Sequence, residues 1–389
     1  MIDIEEERKK ARDLRKSRQY GEAREIFQKL WEETNDKWDG WGLALCCNQV
    51  KDFDAAYETS KSVLEIDPEF QYIKQQLTRS VLQKMKDYDN KGMWDAIIKI
   101  SDNLVANELS TEDIILNKNG KNITLPSDRK TWYQKKSKAL EKLKRWDDCL
   151  ELTRKALNDF PHEIWLKRRK AISIGKTGDV EKAIEDLKEI SLQKTDWFIH
   201  RDIAVFYAHN EDYEKALDYI IDGCLVSINQ PDPGFRWELY YDAALYLQKK
   251  GNIQMSVKHL LLSYSLRDNE GWKTPQDISA LANEIGLSLE SIEDTKALTK
   301  ELRSFWEKHK FSKLPKHTGK IKTMLPNGKA GFITSENGKD FYFKIFSFNG
   351  NRKRIVSGLG VEFFVQESFD RVKNEKAFQA VNITPKKDA

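Results

Sequence analysis

The run YGEAREIFQKL, Tyr20 to Leu30, returns along the chain in recognisable form. Its copies are FDAAYETSKSVLEIDPE (Phe53 to Glu69), WDDCLELTRKALNDFP (Trp146 to Pro161), VEKAIEDLKEI (Val180 to Ile190) and YEKALDYIIDG (Tyr213 to Gly223). Each opens on a large apolar residue and sets a small one three positions on, at Ala23, Ala56, Cys149, Ala183 and Ala216. Those residues lie 33, 93, 34 and 33 positions apart. A weaker copy, GMWDAIIKI with Ala96 as its small residue, divides the long gap, and NIQMSVKHLLLSYSL continues the series at Ser256. Phe27, Leu187, Ile220 and Leu260 follow four residues after the small position, on the same face of a helix. A small side chain lets one helix approach another closely, and the large one fills the groove between them. The preceding segments supply the facing helix, with Leu43 and Ala44 in one copy and Ile203, Ala204 and Tyr207 in another. Pro68 and Pro161 stand where a helix has to stop.

A period near 34 with this aromatic–small–large pattern resembles the tetratricopeptide repeat. The resemblance implies a mainly α protein, an α-α superhelix of about seven helical pairs over residues 1–310. Residues 110–130, containing ILNKNGKNITLP, interrupt the period and read as a hairpin or an ordered loop inserted between repeats. Residues 275–310 are helical by pattern without the repeat signature and read as a cap over the last pair. The concave face of such a superhelix is lined by the first helix of each pair. In register it shows Trp38, Trp41, Trp165, Arg168, Phe198, Arg201, Glu238 and Tyr241, residue types that anchor partners and that also serve as packing between repeats. Members of the family that grip chaperone C-terminal carboxylates use Lys and Asn on first helices; Trp41 and Leu45 occupy those positions in the second copy, so that clamp is absent.

The C-terminal stretch has a different texture. TGKIKTMLPNGKAGFIT begins at Thr318, and GKDFYFKIFSF and FQAVNITP follow. GKIK, then GFI, then an aromatic DFYF strand resemble a cold-shock domain, a five-stranded barrel of the OB type. The resemblance implies a barrel over 318–389 after a linker at 311–317, with two central strands offering rings and cations to single-stranded nucleic acid. Lys322 matches a lysine that touches nucleic acid in that family, and Gly331, Phe332 and Ile333 match the second strand. Tyr342 matches an exposed ring, and Lys344 replaces a histidine. Thr323 and Met324 stand where the family has Trp and Phe, and Ala330 takes the place of an exposed aromatic. Strand alternation puts Tyr342 and Lys344 on one face and Phe341 and Phe343 on the other. Lys329 and the loop cations Arg352, Lys353 and Arg354 add charge for phosphates.

Charge supports this division. Of 66 Lys+Arg and 62 Asp+Glu, residues 318–389 hold 13 and 7, so the positive surplus lies in the barrel and the rest of the chain is slightly acidic. Lys167-Arg168-Arg169-Lys170 is a local basic stretch within the helical part. No apolar run is long enough to span a membrane, and MIDIEEERKKARDLRK has no secretory character, which predicts a cytoplasmic protein. Cys46, Cys47, Cys149 and Cys224 form neither a disulfide framework nor a CxxC and read as buried thiols. No phosphate-binding glycine loop, GxSxG or HExxH is present, and the six histidines make no metal-like pair. Neither catalysis nor a cofactor or metal is expected.

The expectation is a non-enzymatic adaptor. Its helical pairs hold a protein partner, and its barrel binds single-stranded nucleic acid, RNA before DNA. The alternative is a protein–protein scaffold whose barrel, short of stacking rings, has lost nucleic-acid binding.

Overall fold

The computed structural model describes residues 3–118, 120–228, 230–231, 233–290, 294–370, 373 and 375–386. The chain divides into two compact units, Met1–Gly178 and Asp179–Ala389.

The first unit is a series of antiparallel helical neighbours: α1 (Ile4–Lys16), α2 (Tyr20–Thr34), α3 (Lys37–Gln49), α4 (Phe53–Ile66), α5 (Gln71–Lys91), α6 (Trp94–Ser101), α7 (Asp128–Lys142), α8 (Trp146–Asp159) and α9 (Ile164–Lys176). Between α6 and α7 the chain makes an antiparallel hairpin of β1 (Ile114–Lys118) and β2 (Lys121–Leu125). Of the two forms expected for residues 110–130, it is the hairpin that forms. Arg129 ties its base down by donating to the carbonyls of Leu109 and Asn107, and Asp113 accepts from the Ser127 amide.

The second unit continues with α10 (Val180–Gln193), α11 (Trp197–His209), α12 (Tyr213–Ser227), α13 (Trp237–Lys249), α14 (Ile253–Asp268), α15 (Gln276–Glu284) and α16 (Thr295–Ser312). It ends in β3 (Lys316–Met324), β4 (Ala330–Ser335), β5 (Asp340–Lys344), β6 (Gly360–Asp370) and β7 (Glu375–Pro385). These five strands close into a barrel in the order β3-β4-β5-β7-β6. The fold is thus a set of tetratricopeptide-like helical pairs followed by a five-stranded barrel.

The pair register is written in the backbone. The turn before each second helix places one residue at positive φ: Arg18, Lys51, Gly92, Lys144, Gly178, Glu211 and Gly251. Five residues on stand Ala23, Ala56, Ile97, Cys149, Ala183, Ala216 and Ser256, all fully buried. This corrects the reading of the weak third copy. Ile97 fills the contact position and Ala96, one residue earlier, is only half-buried, so this pair carries a large aliphatic where the others carry a small residue. Asp or Asn caps reinforce several starts, with Asp52, Asp179, Asp212 and Asn252 each accepting from an amide three residues on.

The end of the helical part is more integrated than a cap requires. α15 packs on α14, while α16 runs back along α12 and α14. Only Lys313–Pro315 separate α16 from β3, a shorter connection than the 311–317 linker expected, because the helix persists through Ser312 and the strand begins at Lys316. Phe311 at the end of α16 stacks on Phe364 of β6 at 5.0 Å. The barrel core is Ile321, Ile333, Phe341, Phe343, Val361, Phe363, Ala380 and Ile383, so Phe341 and Phe343 face inward as strand alternation predicts.

Candidate functional site

On the outside of the barrel, the pairing of β3, β4, β5 and β7 sets one transverse row: Thr323 opposite Phe332, Phe332 opposite Tyr342, and Tyr342 opposite Gln379. Phe332 and Tyr342 are half-buried and meet edge to face, ring centres 5.8 Å apart. The row depends on the inward position between its members. A β-carbon on Gly331 would lie 2.4 Å from the Thr323 carbonyl oxygen, so only glycine allows β3 and β4 to approach this closely. β3 also carries a bulge between Ile321 and Thr323, which leaves Lys322 and Thr323 together on the exposed side.

The cations expected to meet phosphate are all exposed, and they differ in what they already hold. The Lys322 ammonium pairs with Asp340, whose other oxygen accepts from the Thr334 hydroxyl at 2.6 Å. These two hydrogen bonds hold the Asp340 carboxyl below the usual carboxylate range. Lys329 lies at the β3–β4 turn, and Lys344 projects beyond Tyr342 on the same face of β5. Arg352, Lys353 and Arg354 form one short turn, in which the Asn351 side chain accepts from the Lys353 amide at 3.0 Å. The loop carrying that turn is fastened beside the bulge, where the Ser357 hydroxyl donates to the Lys322 carbonyl at 2.8 Å. Lys329, Arg352, Lys353 and Arg354 make no ion pair among the described residues.

Sequence reasoning missed Phe346, which is 65% exposed, with the Lys344 ammonium 5.7 Å from its ring centre. It lies past the end of β5 in a short 3-10 turn, Ile345–Ser347, where strand alternation no longer applies, so the period of two could not have placed it. Phe378, 51% exposed with Lys339 beside its ring, was also missed. Ala330, where the family has an exposed ring, is buried against the barrel. Asp340 occupies Lys322 and sets a carboxylate on this face, so the reading of Lys322 as a phosphate contact predicts that Asp340→Asn tightens binding of single-stranded RNA several-fold and steepens its salt dependence. Fluorescence anisotropy at two salt concentrations checks this, and unchanged affinity at low salt would remove Lys322 from the interface.

The residues expected on the first-helix face separate into two kinds. In the first unit, Trp38 and Trp41 of α3 join Phe70 and Tyr72 at the start of α5. Trp38 lies 4.9 Å from Phe70, 5.4 Å from Tyr72 and 5.9 Å from Trp41. Trp38 and Tyr72 remain about half exposed, at 45% and 52%. The Arg15 guanidinium of α1 lies 4.4 Å over the Trp41 ring. A cleft of about 350 Å³ opens there, lined by Arg12, Arg15, Phe27, Trp38, Asp39 and Trp41. Phe70, Tyr72, Arg12 and Arg15 were not foreseen, because Phe70 precedes its helix and α1 carries no repeat signature.

The other members are engaged internally. Arg168 and Arg169 both hold Glu141, at 3.0 Å each. Burial alone would raise that carboxyl, and the two guanidiniums keep it below its ordinary value. The basic stretch Lys167–Lys170 is therefore no free phosphate face, since its two arginines are committed. Arg201 binds Glu238 and Asp242 at 2.6 Å each. Phe198 packs against Trp197, and Tyr241 against Trp237; Trp165 is half-buried. All four cysteines are buried free thiols. Among the described residues no group of three or more His, Cys, Asp or Glu is placed to hold a metal ion, and no helix is long and apolar enough to cross a membrane.

No family model and no curated protein matches the sequence. Solved structures similar to it include YrrB, described as a TPR protein with an unusual peptide-binding site, at 14% identity and a TM-score of 0.38 over 58% of this chain and 97% of that one. A tetratricopeptide repeat protein from Parabacteroides merdae is 11% identical, with a TM-score of 0.41 over 73% of this chain and 98% of that one. The Cut9–Hcn1 hetero-tetramer of the APC/C contains a chain 14% identical, with a TM-score of 0.38 over 71% of this chain and 48% of that one. The fold assignment rests on the helical pairs and the barrel themselves.

Proposed function

We propose that the chain is a non-enzymatic adaptor: its helical pairs, residues 1–310, hold a protein partner, and its cold-shock-like barrel, residues 318–389, binds single-stranded nucleic acid, RNA in preference to DNA. The observation that carries the nucleic-acid half is the outward row of Phe332 and Tyr342, with Lys344 beyond Tyr342 on β5 and the exposed Phe346 beside the Lys344 ammonium. Rings on a strand surface interleaved with cations suit bases and phosphates of one strand, and they suit any sequence because every base has a π-face. Phe346 offers a ring outside the positions where the family's own are missing. Arg352, Lys353, Arg354 and Lys329 provide charge without local carboxylates. A cytoplasmic location is part of this reading.

The test is anisotropy of labelled single-stranded RNA and DNA with the full-length protein at two salt concentrations. Binding weakened by salt is expected, with Phe346→Ala roughly tenfold weaker, as one stacked base is worth. Each phosphate neutralised on a single strand contributes about 0.7 to the salt slope, so replacing Arg352, Lys353 and Arg354 together by Ala should flatten it by about 2. No binding at low salt removes the nucleic-acid half. The scaffold reading would then stand, favoured already by Thr323, by the buried Ala330 and by the carboxylate of Asp340 on the same face.

A further inference from the structure

We infer that the cleft between α1 and α3 is the site that holds the protein partner, and that it takes an extended peptide segment in which a side-chain carboxylate sits beside an aromatic or large aliphatic residue. This rests on the reading of the helical pairs as partner-binding and names the chemistry of the partner.

The first ground is charge. Arg8, Arg12 and Arg15 follow one another along α1, yet only Arg8 has carboxylate partners. It makes three hydrogen bonds to Asp39, at 2.7–3.1 Å, and one to Glu5 at 2.9 Å. Asp39 also accepts from the Thr34 hydroxyl at 2.9 Å, so the one carboxylate lining the cleft is already occupied. Arg12 and Arg15 have no carboxylate partner among the described residues. Arg15 is half-buried, its guanidinium carbon 4.4 Å over the Trp41 ring and its charge disfavoured by burial and by Arg12 alongside. A guanidinium stacked on a ring keeps its N–H edge free and fixed in direction, the arrangement that receives a carboxylate by two parallel bonds.

The second ground is shape. The rings beside the arginines meet steeply: Trp38 to Trp41 at 85°, Trp38 to Phe70 at 79° and Trp41 to Tyr72 at 69°. Arg15 already covers a face of Trp41. A ridged apolar wall next to two cations without carboxylate partners fits an acidic side chain placed beside an apolar one. Arginines come from α1 and rings from α3 and the start of α5, so the ligand spans from charge to apolar contact along its own backbone. That requires a carboxylate within the segment, and a free chain terminus is unnecessary.

The experiment exposes an array of short random-sequence peptides with amidated C-termini to the full-length protein, then measures retained peptides by anisotropy. The wild-type protein is expected to retain peptides enriched in Asp or Glu next to Phe, Tyr, Trp, Leu or Pro. Arg12→Glu/Arg15→Glu is expected to weaken them by at least roughly tenfold, the scale of charge-assisted hydrogen bonds. Arg12→Gln/Arg15→Gln removes the two charges without reversing them and should show a loss of the same order, which separates lost charge from any folding defect caused by the glutamates. Retained peptides without acidic enrichment, or acidic peptides that bind both arginine variants as tightly as wild type, overturn the inference and leave a peptide-binding helical region. Retention of no peptide at all overturns the partner-binding reading and the inference with it.

Discussion

Phe332→Ala/Tyr342→Ala is expected to weaken binding of single-stranded RNA by about thirtyfold or more while leaving the barrel folded. Each stacked base contributes about 1–3 kcal/mol by alanine substitution, so two rings remove about 2–6 kcal/mol. The rings touch at 5.8 Å, edge to face, and present two differently tilted surfaces to two bases. Their own contact is worth about 0.5–1.5 kcal/mol, and its loss lowers barrel stability by that order. The core beneath is untouched, since Phe341 and Phe343 occupy the opposite face and Ile321 and Ile333 close against them. Circular dichroism of the variant should therefore match wild type. A folded double variant that binds RNA as tightly as wild type would remove this row from the nucleic-acid surface and leave Phe346 and the basic loop as candidates.

The Phe332–Tyr342 row was legible because two periodicities coincide. A period of two in DFYF decides which rings face out, and the glycine of AGFIT marks the place where two strands approach too closely for any side chain. The helical pairs were legible for a similar reason: a buried small residue repeats at a near-constant interval, and its spacing survives even where residue types drift. Where one local feature gave way, the reading slipped by a residue. Ala96 looked like the contact position because it is small, but the turn at Gly92 fixes Ile97 there. Pairing of charges was not legible at all. Arg168 lies 27 positions from Glu141, and Arg201 lies 41 from Asp242, so nothing along the sequence announces that these arginines are spent. Arg12 and Arg15 show the converse. They look like ordinary charges on a solvated helix until Asp39 is seen to be occupied by Arg8. Lys322 belongs to the same class, since Asp340 reaches it only across the sheet.

Trp306→Ala is expected to destabilise the second unit by about 3–5 kcal/mol, the range for removing a buried tryptophan. Trp306 is fully buried on α16, stacked on Tyr240 at 5.9 Å, and its Nε1–H donates to Nε2 of His259 at 2.8 Å. His259 is also fully buried, with Nδ1 2.7 Å from the Met255 carbonyl. Because Nε2 accepts from Trp306, the single imidazole proton must lie on Nδ1 and point at that carbonyl. Protonating Nε2 would set two N–H groups against each other in a site without water access, and burial pushes the imidazole down to about 4. The sign of the pH dependence follows. Between the ordinary histidine value near 6.5 and about 4, the unfolded chain takes up a proton that the folded chain refuses, so acidification through that window costs about 3 kcal/mol. His200, also lowered by burial, acts in the same direction. Asp242 opposes them: burial pushes its carboxyl up to about 6 against the pull of Arg201, so the folded state holds a proton there that the unfolded state has released. Total stability therefore hides the His259 contribution, and the difference between wild type and His259→Leu reveals it. Hydrogen exchange of α14 and α16 amides at about pH 7 and about pH 4 should show a larger loss in wild type than in the His259→Leu variant, which keeps the contributions of His200 and Asp242. Equal acid sensitivity in both proteins would mean that His259 takes up its proton as readily in the folded chain as in the unfolded one. The consequence for function runs through α16, which leads into β3 after three residues. Trp306→Ala should loosen the barrel's attachment to α12 and α14 without altering its outward row, so under the proposed reading RNA binding persists.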